Sequence, residues 1–506
     1  MPKPHLNQKI YKFALYYSNV EYIQNQHIIN NFERLMPEST FTKKIVEDFD
    51  QIDYFVSKEN VLNLVGEGYK ILPSVYHKSF LDPLKGIILN YYEELLGFVS
   101  RNKNDDGSIP GPYRDWLDSI YQHKTGYMKK YSKAFEEYCS DIYDGFLSNE
   151  ERVGVKPPDY QKVSPLIRWG GEGPYTYPAN GPTVSTSSSY LINMGIVCMP
   201  ISYSKNIMYW IANGHEAAGH DILHADDGLL NEIEDKIIKG IDEDESSKAI
   251  TINYNKRNIP FSEFAKWYWR YTMDETASDV LGSLNLGPAF GIGLALLFSS
   301  PNKFTDKPLL RSRRPIEDVH PIQSLRVLLA AETIKNIPDL DNEISNNWAD
   351  FLETIAYKYI ENKENFELYV TNRVTKTQKT VVTIPHDIMK KTLPILAKTI
   401  AFSPLKQIEN HSFNEINTWS TSDEFLTQEI AENIINDKEL PIKDPVYPAH
   451  IISGAIMALI NSSKLDLISV TEKAISALNK IYDNNHVFRG LPFNYKSDIY
   501  TRDLSF

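Results

Sequence analysis

The sequence predicts a mainly α-helical protein with a small β component, and three observations carry that prediction. Several long stretches place apolar residues at three- and four-residue steps, the spacing that gives a helix one buried face. From Gln161 to Ser204 the texture changes to Gly, Pro, Ser, Thr and Tyr, which suits loops and short strands. Farther on, ELYVTNRVTKTQKTVVTIP alternates like a strand pair and predicts a β-hairpin near 368–385.

Taken in order, residues 1–160 read as an N-terminal helical region, with helices in LKGIILNYYEELLGFVS and MKKYSKAFEEYCSDIYDGFLS separated by a turn-rich break, NKNDDGSIPGPYRDW. Residues 161–335 form a second region. Its irregular opening, including RWGGEGPYTYPANGP, feeds an apolar helical run, IMYWIA. So long an irregular stretch inside a compact protein usually lines a cleft, and Tyr175, Tyr177 and Asn180 are placed to offer hydrogen bonds at its edge. A charged spacer, NEIEDKIIKGIDEDESSK, reads as a solvated face and a loop before a second helix, FSEFAKWYWRYTMDETASDVLGSL. The uncharged run VLGSLNLGPAFGIGLALLF is nearly long enough to span a bilayer, but Asn285, Gly287, Pro288, Gly291 and Gly293 interrupt it. Two short buried helices joined by a turn are expected there. A helix follows in PIEDVHPIQSLRVLLAAETIKNI. Residues 336–506 form a mainly helical C-terminal region that contains the hairpin, helices in IISGAIMALI and LISVTEKAISALNKIY, and an irregular tail.

A chain of 506 residues, 42% hydrophobic and 24% charged, can bury a large core. A net charge of −13 with no concentrated basic stripe argues against a nucleic-acid partner. Cys139 and Cys198 are too few and too far apart for a disulfide framework or a thiolate metal site. The first residues lack the apolar segment of a signal peptide, so a cytoplasmic location without a membrane partner is expected.

The chemistry concentrates in NGHEAAGHDILHADDG, Asn213 to Gly228. Three readings compete. Glu216, His220 and His224 are each four apart and form one stripe of a regular helix. His220 and His224 could instead be a ligand pair with Asp221 as base. In the third reading His215 and His220 are ligands and Glu216 is the general base. Five residues put those two histidines about 140° apart on a perfect α-helix. A one-residue π-bulge at Gly219 would bring the imidazoles together, leaving His224 and Asp226 to orient the ligands. The second helix favours this third reading. In DETASD, Glu275 and Asp279 share a face beside the aromatic run WYWRYT. A buried carboxylate needs a partner, and a zinc ion held by His215 and His220 supplies one, giving two nitrogens and one carboxylate with a fourth position left open.

HEAAGH followed about sixty residues later by DETASD resembles the paired zinc motifs of the dipeptidyl peptidase III family, HExxGH and Glu-Glu-x-x-Ala-Glu. The resemblance covers these two motifs and their separation. It implies a two-lobed, zincin-like metallohydrolase with a cleft between the lobes. His215 and His220 would be zinc ligands, Glu275 the third ligand and Glu216 the general base, with Asp274, Ser278 and Asp279 conservative replacements. The family's Glu-x-Tyr-Arg-Asp segment is echoed by GPYRD, where Tyr113 matches the carbonyl-polarising tyrosine but Gly111 replaces the glutamate. The family also places a transition-state-stabilising histidine downstream, for which His320 in DVHPIQSLR is the best-placed residue and His450 a more distant one.

The function these features imply is a zinc-dependent hydrolase acting on a peptide or small amide, a metallopeptidase before all else. The metal would lower the pKa of a water, Glu216 would take its proton, and Tyr113 or His320 would donate to the developing oxyanion. Two other classes stand beside it: a non-haem iron or manganese enzyme using Glu216, His220, His224 and Glu275, and a non-catalytic protein whose metal only staples two helices.

Overall fold

The computed structural model describes residues 26–38, 57–101, 111–148, 150–171, 173–179, 192–299, 309–443 and 445–484. Among these residues helix takes 64% and strand 10%, so the chain is mainly helical and its described β component is confined to small sheets.

The N-terminal part contributes α1 (Gln26–Glu38), α2 (Lys58–Ile71), α3 (Asp82–Arg101), α4 (Gly111–Thr125) and α5 (Lys129–Leu147). The break before α4 and the C-terminal tail lie outside the described residues, apart from the start of α4. Three short strands follow, β1 (Leu166–Trp169), β2 (Tyr175–Tyr177) and β3 (Ile196–Met199). β3 is central, parallel to β1 and antiparallel to β2. All four residues of β3 are buried, because α4 packs on this sheet and the metal-rich segment approaches β2. Ser119 and Gln122 of α4 stitch helix to sheet through the carbonyls of Ile167 (2.6 Å) and Trp169 (2.8 Å).

Next come α6 (Ile207–Trp210), α7 (Ala212–His215) and a π-helical segment, Glu216–Asp221. The charged spacer is α8 (Leu229–Glu243), a helix that buries Leu229, Ile233, Ile237 and Ile241 and leaves its charged face in water. Between it and the second site helix lies a hairpin that the sequence reading missed, β4 (Thr251–Tyr254) and β5 (Arg257–Pro260). The second site helix is two helices, α9 (Phe261–Tyr271) and α10 (Met273–Leu286), parted at Thr272. The uncharged run is indeed two helices, since α10 ends and α11 (Pro288–Ser299) begins across Gly287 at φ +56. No helix among the described residues is long and apolar enough to cross a membrane.

After β6 (Arg313–Pro315) come α12 (Gln323–Lys335) and α13 (Asn342–Tyr359), then the expected hairpin, β7 (Asn365–Thr371) with β8 (Gln378–Pro385). These strands join the missed hairpin in a five-stranded sheet ordered β5-β4-β8-β7-β6. The chain then runs through α14 (Leu393–Phe402), α15 (Thr421–Ile435), α16 (Pro448–Asn461) and α17 (Leu467–Asn484). One apolar core links these elements, and α10 lies inside it, packed against α7, the π segment and α12. That burial on several sides is what fixes a row of carboxylates in place.

Candidate metal centre

The segment that carries HEAAGH is anchored before it is functional. Asn206 caps α6, its side chain accepting from Met208 N at 3.1 Å, and Trp210 and Ile211 are fully buried. The helix widens into the π form at Glu216, so residues five apart stack above one another. His215 and His220 thereby meet, with ring centroids 4.8 Å apart and planes at 84°. Gly219 has a further role beyond easing the bulge. A Cβ there would lie 2.3 Å from Ser278 Cβ and 2.6 Å from Ser278 Cα, so only glycine lets the π segment touch α10.

That contact brings the two acidic and basic motifs together. His215, His220 and Glu275 each offer a ligand atom, and all of these lie within 4.8 Å of one another. Each histidine is held from behind by a carboxylate. Asp279 Oδ1 accepts from His215 Nδ1 at 2.9 Å and Asp274 Oδ1 accepts from His220 Nδ1 at 2.8 Å. A carboxylate only accepts, so each Nδ1 carries a proton, and Nε2 would present a lone pair to a cation standing between it and Glu275. The Nε2 atoms then face Glu275, 3.0 Å from its Oε2 for His215 and 3.7 Å from its Oε1 for His220.

Beneath the site, Arg326 Nε and Nη2 donate to Asp279 at 2.6 and 2.8 Å, which neutralises that buried acid. Burial alone would raise the pKa of Asp279; Arg326 and His215 outweigh it and keep the carboxylate ionised. Glu275 follows the same logic, its burial overcome by the His215 hydrogen bond and the charges of His215, His220 and Arg326. His220 is pushed up to about 10, because Asp274, Glu275 and Glu216 outweigh the burial that would lower it. The surroundings therefore favour positive charge between the ring nitrogens and Glu275. Two imidazole nitrogens and a carboxylate, each oriented by a partner, are a donor set that suits a divalent metal.

Glu216 lies beside this group and is 6% exposed. Among the described residues none donates a hydrogen bond to its carboxylate. Burial pushes its pKa up, partly offset by His215 and His220, which suits a group that must accept a proton. The shared cavity, about 250 Å³, is lined by Pro174 to Pro178 on the β2 side and by His215, Glu216, His220, His224, Asp274, Glu275 and His320 on the helical side. It has room for roughly eight waters.

The other anticipated residues are distributed unevenly. His320 lines the cavity, with Nε2 3.3 Å from Glu275 Oε1. His224 does not point its ring nitrogen at the cluster but bonds the outer oxygen of Asp274 at 3.0 Å, so the stripe of Glu216, His220 and His224 is not what converges. Asp226 is a correction: it pairs with buried Arg152 at 2.6 Å instead of orienting a ligand, because the chain turns away from the site after His224. Asp221 also faces away, accepting from Thr176 at 3.0 Å. Tyr113 is buried on α4, edge-on to Trp116, and is not among the residues lining the cavity. Its neighbour Asp115 reaches closer, accepting from the hydroxyl of Tyr175 at 2.9 Å. Tyr175 and Tyr177 do line the cavity, whereas Asn180 lies outside the described residues. His450 bonds Asp423 at 3.0 Å in another part of the fold. Sequence reasoning missed Asp318 as the partner of His320 and Arg326 as the partner of Asp279. The Asp-x-His spacing was a usable signal for the first; nothing local announced the second.

No family profile, no curated protein and no solved structure matches the chain.

Proposed function

We propose that this protein is a zinc-dependent hydrolase, a metallopeptidase resembling the dipeptidyl peptidase III family, that cleaves a peptide or small amide. The observation that carries the reading is the juxtaposition of His215, His220 and Glu275 with a buried, undonated Glu216. A purely structural metal site has no need of such a neighbour.

His215, His220 and Glu275 would hold the metal. When bound, a divalent zinc lowers the pKa of a water and polarises a carbonyl. Glu216 is the proton acceptor, and the same carboxyl returns the proton to the leaving amine. Asp274 and Asp279 keep both imidazoles in register, and Arg326 keeps Asp279 anionic. The substrate side is formed by β2, which among the described residues is an edge of its sheet. An edge strand has unpaired backbone groups and suits an extended polypeptide laid along it. The reading also makes the chain two-lobed and zincin-like, with this cavity as the cleft between a sheet-bearing side and a helical side.

The test is hydrolysis of a mixed-sequence peptide library by purified full-length protein, with and without prior chelation. Cleavage that disappears on chelation and returns with zinc is expected. A metal-loaded protein that turns over no peptide or amide, or one that carries iron in place of zinc, overturns the reading.

A further inference from the structure

The cavity holds a third imidazole arranged like the two ligand histidines. His320 Nδ1 donates to Asp318 Oδ1 at 2.8 Å, and the same oxygen accepts from the backbone N of His320 at 3.0 Å. Asp318 is itself clamped: its other oxygen takes Arg314 Nε at 2.8 Å, while Arg314 Nη1 donates to the Pro321 carbonyl at 2.6 Å. One ring proton is thereby committed to Asp318, and Nε2 stands 3.3 Å from Glu275 Oε1. This repeats the arrangement of His215 with Asp279 and His220 with Asp274. A carboxylate on the far ring nitrogen is the usual outer partner of a metal-binding histidine. His224 provides the contrast, since its Nε2 is spent on Asp274.

Three Nε2 atoms gathered round one carboxylate need positive charge among them, either their own protons or a metal ion in the protons' place. We propose that His320 is a fourth protein ligand of the metal, a detachable one, beside His215, His220 and Glu275. The proposal rests on the metal reading above and assigns His320 a role different from the oxyanion donor that the family resemblance implies. A ring that gives its Nε2 lone pair to the metal could not also donate a hydrogen bond from that atom.

Detachability follows from where His320 sits. The side chain of His320 is 43% exposed, against 9% for His215 and 13% for His220. It lies on the connection between β6 and α12, whereas the other two are embedded in packed helix. It also stands outside the group of three whose ligand atoms lie within 4.8 Å of one another, so ligating the metal would require the ring to move. A site with four protein ligands is closed, and a catalytic one keeps a position open. His320 would supply both states: a ligand at rest, and drawn back from the group of three when substrate enters.

The experiment is zinc K-edge X-ray absorption on the zinc-loaded full-length protein, with chelator competition for affinity. Three imidazoles are expected in the wild type and two in His320→Gln, whose zinc affinity falls by about 10–100-fold. Asp318→Asn, which keeps an acceptor behind the ring but removes its negative charge, weakens binding in the same direction. Two imidazoles in the wild type and unchanged affinity in His320→Gln would overturn the assignment while leaving the three-ligand site intact. A wild type that binds no zinc overturns both this assignment and the reading on which it rests.

Discussion

Glu216 is the residue on which the proposed chemistry rests. It is buried beside two histidines, and no described side chain uses its carboxylate. Glu216→Gln should keep the fold and the metal yet slow peptide cleavage by at least about 100-fold, the usual worth of a positioned base. Equal rates in variant and wild type would remove Glu216 from the reaction. Gly219 makes the complementary case for geometry. Gly219→Ala forces a methyl into Ser278, costing about 1–3 kcal/mol, and should loosen the metal by parting the π segment from α10. Chelator competition and urea unfolding read the two effects, and Ser278→Gly in the same chain should recover part of each. At this scale HEAAGH and DETASD were legible because metal-capable residues rarely crowd an apolar helix without cause. Tyr113 and Asp226 were not, since a tripeptide or a single acid says nothing about which way the chain turns next.

Among elements, the π segment was foreseeable from one arithmetic fact: five residues do not close a turn of α-helix, and a glycine stood where an extra residue could enter. The hairpin of β4 and β5 was hidden for the opposite reason. Only Ile252 of its first strand is buried, so alternation could not appear, and its turn rests on Asn255 and Lys256 at φ +48 and +68. The spacer helix α8 was half legible, its four buried aliphatics masked by the charges between them. Where α5 supports the start of α16, the structure makes a pH-dependent prediction. Asp141 accepts from Ala449 N at 2.8 Å, yet burial raises its pKa to about 6, with His450 lowering it and Asp423 raising it. The folded-state value exceeds the unfolded one, so the ionised acid is penalised in the native state. Stability from this group is full below about pH 4 and is lost as pH rises toward 6. Asp141→Asn keeps the acceptor but cannot ionise, so its stability relative to wild type should climb by roughly 1–3 kcal/mol between pH 4 and pH 7. Urea denaturation at both pH values measures this, and parallel curves would contradict it.

Across the whole molecule, the mainly helical class was readable from periodicity, whereas the joining of two distant hairpins into one sheet was not, because β4 and β8 share a single register pair, Tyr254 with Val382. The same long-range packing seats α10 between the π segment and α12, which is why Arg326 could not be found by reading along the chain. Near the cavity, Glu216, Asp274, Glu275, Asp279 and Asp318 outnumber Arg314 and Arg326, and either protonated His215 and His220 or a divalent cation between them and Glu275 would offset the difference. Zinc should therefore stabilise the native state, by about 2.7 kcal/mol at a free concentration 100-fold above the dissociation constant. A thermal midpoint that is indifferent to zinc and chelator would tell against that coupling. The most direct measurement is the metal content of purified wild type and of His215→Ala, Glu275→Ala and His224→Ala. The account predicts about one zinc per chain in the wild type, its loss in the first two variants and its retention in the third. Zinc lost from His224→Ala but kept by His215→Ala would contradict it.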